Sequence, residues 1–155
     1  MKSGEIEVGV VGMLMGEFQH KIDAKGRLFM PAKLREGLGS DFIITKGLDK
    51  CLSVYSQTEW EKLLAKFAAA PKSKQSVRQV SRFLFGNACQ AEVDKQGRIL
   101  LPAALREHAG LNKEVVIVGV GTTAEIWDSE AWHDYNAEVS KDVTDIVEQL
   151  VDLGI

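Results

Sequence analysis

The chain has 155 residues, of which 45% are hydrophobic and 26% charged, and its formal net charge is -3 at pH 7. This composition excludes collagen-like and disordered chains and is typical of one globular domain or two small ones. The acidic balance by itself argues against a nucleic-acid partner, because domains that bind nucleic acids are usually basic.

The charge is unevenly distributed along the chain. Residues 1–124 carry 18 basic and 13 acidic side chains, whereas residues 125–155 carry a single lysine, Lys141, and nine acidic side chains. A basic body with an acidic tail is found in proteins that bind polyanions, although acidic helices also serve as solvated surfaces. The chain average therefore does not exclude a nucleic-acid partner.

The sequence predicts neither a membrane span nor a secretory signal. The longest apolar stretch near the start, residues 8–16, is far shorter than the ~20 residues that cross a bilayer. Glu5 and Glu7 lie where a secretory signal would be basic. Cys51 and Cys89 have no metal-ligand spacing and suit a reducing compartment. We therefore expect a cytoplasmic protein with no membrane partner.

An internal repeat organises the chain. Residues 23–36 recur 71 residues later as residues 94–107, and eight of the fourteen positions are identical. The shared pattern is Asp-x-x-Gly-Arg, a short apolar run, Pro-Ala and then Leu-Arg-Glu. Trp60 and Trp132 correspond farther along, so each copy covers about 45 residues. A unit of that size is too small for a core of its own, so we expect the two copies to pack as a pseudo-twofold pair.

Each copy predicts the same elements in the same order: strand, turn, strand, short helix, strand, strand. The first strand shows a half-buried alternation of apolar and polar residues, Asp-x-x-Gly is turn chemistry, and a proline begins each short helix. The predicted strands of the first copy are residues 18–22, 27–30, 41–45 and 51–55, and its short helix starts at Pro31. The predicted strands of the second copy are residues 98–101, 114–118 and 124–127, and its short helix starts at Pro102.

Helices are predicted between and after the copies. Ser56 and Glu59 form a capping-box pattern ahead of a helix that stops before Pro71, and a second helix follows. Asp128 caps a further helix. For the linker residues Trp60, Leu63 and Phe67 we favour intramolecular packing over subunit contact. For the acidic tail, intramolecular packing and subunit contact are equally favoured. The tail carries an apolar stripe at helical spacing, formed by Val139, Val143, Ile146, Val147 and Leu150.

Arg27 and Arg98 each begin a strand directly after a tight turn. A guanidinium in that position can reach phosphate oxygens or pair bidentately with guanine in the major groove. The alternative is that each arginine only bridges the aspartate of its own turn, Asp23 or Asp94. Because the motif occurs twice in the same setting, we favour the nucleic-acid interpretation.

Lysines add positive charge around these arginines. Lys25 and Lys95 lie inside the turns, and we expect them to contact phosphates. Other basic residues are weaker candidates, because surface positions and ion pairs within helices explain them at least as well. These weaker candidates are Lys21, Lys33, Arg35 and Arg106.

The sequence does not predict an enzyme. It contains no P-loop, no complete dinucleotide-binding fingerprint and no Gly-x-Ser-x-Gly motif. His20, His108 and His133 have no metal-ligand spacing, and both cysteines lie in apolar strand contexts typical of core residues. We expect no metal, no cofactor and no small-molecule substrate.

The pattern Asp-x-x-Gly-Arg, apolar run, Pro and Leu-Arg helix resembles the half-barrel repeat of the AbrB-like transition-state regulators, a swapped-hairpin DNA-binding fold. Two tandem copies with Trp60 and Trp132 after the last strands, and with Phe-Leu-Phe-Gly at residues 83–86, are similar to the MraZ family. This resemblance covers about residues 13–135. It implies an α+β, mainly β fold in which two half-barrels (SpoVT/AbrB-like repeats) form one pseudo-twofold barrel, with linker helices and a C-terminal helix.

The resemblance also implies a division of the chain into five segments. The first, which we expect to be either disordered or a start-site artefact, is an N-terminal extension. The segments are the extension at residues 1–14, a repeat at 15–62, a helical linker at 63–86, a second repeat at 87–134 and an acidic amphipathic helix at 135–155.

In function, the resemblance implies a nucleoid-associated transcriptional repressor of its own division and cell-wall gene cluster, bound to short direct repeats in double-stranded DNA as a ring-shaped homo-oligomer. In that family the arginine of each loop contacts DNA, which corresponds to Arg27 and Arg98. Gln96 stands where the first loop has Lys25, so the resemblance does not imply equal roles for the two loops. The alternatives are a ring-forming scaffold or protein-binding module, and an AbrB-like antitoxin, which the tandem repeat disfavours.

Overall fold

The structure is a computed structural model that describes residues 13–155. Apart from Met13 and Leu14, the expected N-terminal extension lies outside these residues. The first repeat contains β1 (Leu14–Lys21), β2 (Arg27–Phe29), α1 (Ala32–Leu38), β3 (Asp41–Lys46), β4 (Leu52–Ser56) and α2 (Gln57–Ala69). After α3 (Gln75–Phe85), the second contains β5 (Cys89–Glu92), β6 (Arg98–Leu100), α4 (Ala103–His108), β7 (Glu114–Gly121), β8 (Thr123–Asp128) and α5 (Ser129–Glu148), followed by a 3-10 turn (Val151–Leu153).

The strands form a six-stranded antiparallel sheet in the order β1-β7-β8-β4-β3-β5 and a separate two-stranded ribbon of β2 and β6. The first strand of each repeat pairs with the other repeat, β1 with β7 and β5 with β3. The last strands, β4 and β8, pair at the centre of the sheet. Neither repeat therefore completes its own sheet, and the strand order relates the two copies by an approximate twofold axis.

The fold is mixed α/β with antiparallel sheets, two repeats and a long C-terminal helix, and the expectation of a mainly β protein is wrong. Helix α5 has 20 residues and α2 has 13, whereas the longest strands, β1 and β7, have 8. The repeat motif itself is rich in strands, but the linker and tail outside it form long, well-capped helices. In the strand pairing of the described residues, β1 and β5 are the edge strands of the six-stranded sheet.

Capping residues start the long helices at the positions that the sequence predicts. Ser56 Oγ accepts the backbone N–H of Glu59 at 3.2 Å, and Asp128 Oδ2 accepts that of Ala131 at 3.2 Å. Such caps satisfy N–H groups that have no partner in the first turn of a helix. No helix of the described residues has the length and apolar character needed to span a membrane.

The main core lies between the ribbon and one face of the sheet. Leu28 and Ile99 face each other at the centre of the ribbon and are fully buried. They pack in one cluster with sheet residues from both repeats, including Phe42, Ile44, Ile117 and Ile126. Burial of each such side chain contributes roughly 1.5–3 kcal/mol, so the ribbon is held firmly on the sheet.

A smaller cluster lies on the opposite face of the same sheet. In β7, Val115 and Ile117 belong to the main core, whereas the alternating Val116 and Val118 pack with Trp132 from the start of α5. Successive strand residues point to opposite faces. Helix α5 therefore starts on the face of the sheet that lies away from the ribbon.

The cysteines are core residues, as expected. Cys51 is buried in the smaller cluster, where burial raises the pKa of its thiol to about 12. Cys89 packs against the main core, and burial raises the pKa of its thiol as well. A thiol that stays protonated at neutral pH is a poor nucleophile.

Aromatic side chains pack the linker helices onto the first repeat. The Trp60 ring lies 5.3 Å from that of Tyr55 and 5.0 Å from that of Phe85, and the Phe67 ring lies 5.4 Å from that of Phe85. Trp60 and Phe67 thus have intramolecular partners, and both remain half-buried. Leu63 is half-buried.

The apolar stripe of the acidic tail is more exposed than the aromatic side chains of the linker. Val143, Ile146 and Leu150 are exposed, and Val139 and Val147 are half-buried. The described part of the chain therefore leaves most of this stripe uncovered.

Candidate nucleic-acid interface

The first Asp-x-x-Gly-Arg turn is built by hydrogen bonds to one carboxylate. Asp23 Oδ1 accepts the backbone N–H groups of Lys25 and Arg27, each at 2.9 Å, and the N–H of Gly26 donates to the carbonyl oxygen of Asp23 at 3.0 Å. Gly26 has a φ of +81°, a conformation that side chains disfavour. The motif therefore needs both its aspartate and its glycine.

The second turn repeats this geometry closely. Asp94 Oδ1 accepts the N–H groups of Gln96 at 2.8 Å and Arg98 at 2.9 Å, and the N–H of Gly97 donates to the carbonyl oxygen of Asp94 at 3.0 Å. Gly97 has a φ of +82°. The sequence identity of the two motifs thus extends to their backbone conformation.

Each arginine is oriented by the aspartate of its own turn. Arg27 Nε donates to Asp23 Oδ2 at 2.7 Å, and Arg98 Nε donates to Asp94 Oδ2 at 3.0 Å. The bridging alternative is therefore present in the structure. It occupies Nε, while the two arginine side chains remain 32% and 28% exposed. Because exposed pairs of this kind contribute only about 0–1 kcal/mol, a competing anion can displace them at little cost.

Both turn carboxylates are held in the charged form. The backbone N–H of Arg27 is the largest cause that keeps the pKa of Asp23 below its usual value, and the backbone N–H of Arg98 does the same for the pKa of Asp94. At neutral pH each aspartate therefore balances its arginine, and net positive charge around the turns comes from the lysines.

The ribbon brings the two arginines to one face. Arg27 lies opposite Leu100 and Phe29 lies opposite Arg98, with the buried pair Leu28 and Ile99 between them. Residues opposite each other in antiparallel strands point to the same side, and alternate residues share a face. The outer face therefore carries the arginines on one diagonal and two apolar side chains on the other. Arg98 Nη1 lies 3.9 Å from Asp23 Oδ2, so both arginines reach one carboxylate.

The apolar side chains of this outer face, Phe29 and Leu100, are 37% and 61% exposed. The sequence predicts a short apolar strand at these residues but does not separate its two faces. The alternation within that strand was the available signal, since Leu28 and Ile99 are the buried partners.

The predicted lysines surround the ribbon. Lys25 and Lys95 are exposed within the turns, Lys21 is exposed at the end of β1, and Lys33 is exposed in the first turn of α1. Among residues 13–155 the structure records ion pairs for none of these four lysines.

Arg35 and Arg106 are not explained by ion pairs within helices, and that expectation is wrong for the described part of the chain. Arg35 Nε donates to the carbonyl oxygen of Met30 and Arg106 Nε to that of Leu101, each at 3.0 Å. These carbonyls lie at the ends of the ribbon strands, and no acidic residue stands three or four positions from either arginine. The signal in the sequence was that Leu-Arg-Glu recurs at the same place in both copies.

The histidines do not converge on one another. His20 packs beside Phe29, His108 Nε2 lies 3.1 Å from the carbonyl oxygen of Gly47, and His133 is exposed. Within residues 13–155 no cluster of three His, Cys, Asp or Glu side chains has the arrangement to hold a metal ion.

Comparison with known proteins decides the family. The family model described as an antitoxin-like MraZ protein matches this chain twice, at residues 13–83 and 84–153. The chain belongs to the MraZ family. The two matches confirm the tandem organisation that the internal repeat predicts.

Relatives in the MraZ family match over almost their whole length. This chain is 52% identical to the transcriptional regulator MraZ of Heliobacterium modesticaldum over 143 residues, 92% of this chain and all of the relative. It is 54% identical to the transcriptional regulator MraZ of Desulforamulus reducens over 141 residues, 91% of this chain and 99% of the relative. These relatives are regulators, and membership of their family confirms that the chain is not an enzyme.

One solved structure, the solution structure of PHS018 from Pyrococcus horikoshii, matches 70% of this chain and 91% of its own length at 16% identity. Its TM-score of 0.32 is too low to bear on the fold.

Proposed function

We propose that this MraZ-family chain is a sequence-specific DNA-binding regulator of transcription that contacts double-stranded DNA through its two Asp-x-x-Gly-Arg turns. The relatives named above are transcriptional regulators. The observation that carries the proposal is the outer face of the β2/β6 ribbon, where Arg27 and Arg98 lie on one diagonal and both reach Asp23.

A two-stranded ribbon fits the major groove of B-DNA, which is about 12 Å wide. Guanidinium groups read guanine by bidentate hydrogen bonds, so Arg27 and Arg98 are the base-reading residues of the proposal. Lys25 and Lys95 contact phosphates, with smaller contributions from Lys21 and Lys33. The aspartates hold the arginines in position until a base or phosphate takes over the guanidinium hydrogen bonds.

Charge is segregated in a way that suits this orientation. The ribbon and α5 start on opposite faces of the six-stranded sheet. The acidic tail, with nine acidic residues and one lysine from residue 125 onward, is thereby kept from the surface that would approach the polyanion.

We further infer a ring-shaped homo-oligomer that binds short direct repeats, because one ribbon reads only a few bases and many ribbons on one ring add avidity without new contacts. The uncovered α5 stripe supports this inference as a candidate subunit contact. In this interpretation the ribbon and the six-stranded sheet are the two sides of a double-repeat barrel. The segment boundaries follow the repeats at residues 15–62 and 87–134.

The gene-level role follows from family resemblance alone. We infer a cytoplasmic, nucleoid-associated repressor of the promoter of its own division and cell-wall gene cluster. A reporter driven by that promoter, with and without the regulator, tests the direction of control.

Substitution of the turn arginines tests the DNA contact. Binding sites are first selected from a random duplex library at near-physiological salt, and affinity is then measured by fluorescence anisotropy. Arg27→Ala and Arg98→Ala should each weaken binding by about 1–3 kcal/mol, roughly 5-fold to 150-fold, and relax the preference for one base pair. Arg82→Ala on α3 is the matched control, since Arg82 is exposed and lies outside the ribbon. Unchanged affinity in both turn variants would exclude the proposed contact.

Salt dependence separates this proposal from a ring-forming scaffold that binds protein. The exposed apolar side chains of Phe29 and Leu100 are the observation that favours the scaffold. DNA binding should weaken steeply as salt rises, because phosphate contacts release counterions. If the selected library shows no enrichment and the affinity for DNA is insensitive to salt, the scaffold is the better description.

Removal of the tail stripe tests the oligomer. Deletion of residues 139–155 should lower the number of subunits in the assembly, obtained from its mass by light scattering, as should Val143→Ser with Ile146→Ser, which changes only the apolar face. Asp142→Ser with Asp145→Ser on the same helix is the matched control and should leave the number of subunits unchanged. An unaltered number of subunits after the deletion would remove the tail from the interface.

A further inference from the structure

Two equivalent chains of hydrogen bonds link each short helix to the turn of the other repeat. Arg106 Nε of α4 donates to the carbonyl oxygen of Leu101 at 3.0 Å, and the N–H of Leu101 donates to the carbonyl oxygen of Gly26 at 2.9 Å. Leu101 belongs to the second repeat and Gly26 to the first. The arginine of the second repeat is thus connected to the turn at residues 23–26.

The reciprocal connection runs the other way. Arg35 Nε of α1 donates to the carbonyl oxygen of Met30 at 3.0 Å, and the N–H of Met30 donates to the carbonyl oxygen of Gly97 at 2.9 Å. The arginine of the first repeat is connected in this way to the turn at residues 94–97. The same two-step geometry in both copies makes a chance arrangement of surface arginines a poor explanation.

Close packing also links each arginine to the turn of the other repeat. A Cβ atom on Gly26 would lie 3.2 Å from Cζ and Nη2 of Arg106, so the guanidinium rests against the turn glycine of the other repeat. A Cβ atom on Gly97 would lie 3.6 Å from Nη2 of Arg35. Each glycine has a positive φ, and each therefore combines a conformational requirement with a close approach of an arginine from the other repeat.

We propose that Arg35 and Arg106 are positioning residues, each of which holds the recognition turn of the other repeat: Arg106 holds residues 23–26 and Arg35 holds residues 94–97. The consequence for DNA affinity rests on the proposed function, whereas the effect on how firmly each turn is held in its conformation does not. The planar guanidinium suits this role, because Nε donates to a carbonyl while the flat group packs against backbone.

This cross-connection complements the exchange of strands in the sheet. Each turn is ordered only when its own aspartate and the other repeat's arginine are both in place. Both DNA-contacting turns thus depend on correct docking of the two repeats.

Amide hydrogen exchange of the DNA-free, full-length protein tests the positioning role directly. Arg106→Ala should speed exchange of the amides at residues 23–27 by about tenfold, the effect of losing one hydrogen bond at the upper end of its usual range, and leave residues 94–98 nearly unchanged. Arg35→Ala should do the reverse. The ratio between the two turns within one variant is the measurement, because any global loss of stability speeds exchange in both turns alike. Equal acceleration in both turns, or faster exchange only in the arginine's own repeat, would overturn the proposal.

DNA affinity then distinguishes positioning from a direct phosphate contact. Both Arg106→Ala and Arg106→Lys should weaken binding about tenfold, because lysine keeps the charge but has no Nε–H in a planar fork. If Arg106→Lys binds as the original chain does, Arg106 acts as a point charge on phosphate and the positioning role is wrong. If the original chain binds no DNA although the exchange pattern is as expected, the proposed function fails and the positioning role stands.

Discussion

The first turn, residues 23–26, and the second, residues 94–97, have nearly the same backbone but different surroundings. Asp23 is approached by two arginines, Arg27 at 2.7 Å and Arg98 at 3.9 Å, whereas within residues 13–155 Asp94 pairs with Arg98 alone at 3.0 Å. The nearest atoms to a Cβ on the first glycine belong to a guanidinium, and those nearest to a Cβ on the second belong to the Phe29 ring.

The comparison separates what a short motif controls from what it leaves open. The identical residues, Asp, Gly and Arg, fix the turn because each makes or permits a local hydrogen bond. The positions between them differ, Ala24-Lys25 against Lys95-Gln96, and place positive charge at different points of the loop. The two loops therefore share one backbone scaffold but differ in where they place positive charge.

The largest expected effect lies where the two repeats are most alike, at the centre of the ribbon. Leu28→Ala and Ile99→Ala should each destabilise the fold by about 2–5 kcal/mol, because both side chains are fully buried in the main core. Urea denaturation measures the loss. Similar values would confirm that the buried face is equivalent in the two copies. The loss of stability in another core variant, Val54→Ala, sets the scale. If the losses in Leu28→Ala and Ile99→Ala differ by more than that amount, the symmetry ends at the backbone.

The turn glycines should come next in size and reveal the first difference between the loops. Gly26→Ala and Gly97→Ala both place a side chain at positive φ, which costs roughly 1–2 kcal/mol. At Gly97 the new Cβ would also lie 2.8 Å from Phe29 Cε1, so the ring must move. Thermal unfolding should therefore show the larger loss for Gly97→Ala. A larger loss for Gly26→Ala would mean that the Arg106 contact is the more rigid of the two.

Swapping lysine and glutamine at positions 25 and 96 tests whether these loop positions contact phosphates. Lys25→Gln makes the first loop resemble the second, and Gln96→Lys does the opposite. If each lysine contacts one phosphate, the fall of log affinity with log salt should become less steep by about 0.9 per subunit in Lys25→Gln and steeper by about 0.9 in Gln96→Lys. Lys62→Gln on α2 is the control, since that lysine pairs with Glu59 at 3.1 Å. Identical slopes in all three variants would place both loop positions outside the phosphate contacts.

The smallest expected effect is the response of the turns to acid. The pKa of Asp23 and of Asp94 is lowered from 3.8 by backbone hydrogen bonds, chiefly from the N–H of Arg27 and of Arg98. A lowered carboxyl pKa gives a contribution that is complete above the ordinary value and is lost as pH falls through the lower folded value. Both turns should therefore stay ordered at pH 4 and open only at stronger acidity. Carboxyl titration by NMR checks this, and a midpoint above 3.8 for either aspartate would contradict it.

Much of the local structure could be predicted from the sequence. The turns, the proline-started short helices and the caps at Ser56 and Asp128 all occur as expected, because each depends on residues a few positions apart. The internal repeat also predicted the tandem organisation. The sequence also predicts the helices of the linker and the tail, and it is their combined length that makes the fold mixed α/β.

The site could be predicted only in part. Arg27 and Arg98 were selected by their repeated motif, and the structure brings them to one face, although their contact with DNA stays a proposal. The ion-pair interpretation of Arg35 and Arg106 fails because no acidic residue stands three or four positions from either arginine, and a hydrogen bond to a backbone carbonyl leaves no pattern of residue types. Phe29 was not separated from Leu28, because the two faces of a three-residue strand become distinct only when one is covered.

The sequence by itself determined two turns that close on their own aspartates, the family of the chain and the segregation of charge toward an acidic tail, since these depend on residue identity and near neighbours. Only the tertiary structure decided that each repeat completes its sheet with a strand of the other, that both arginines reach Asp23, and that α5 starts on the face away from the ribbon. Those features depend on which surfaces bury the most apolar area together, a property that pairs of distant residues create and no single segment contains.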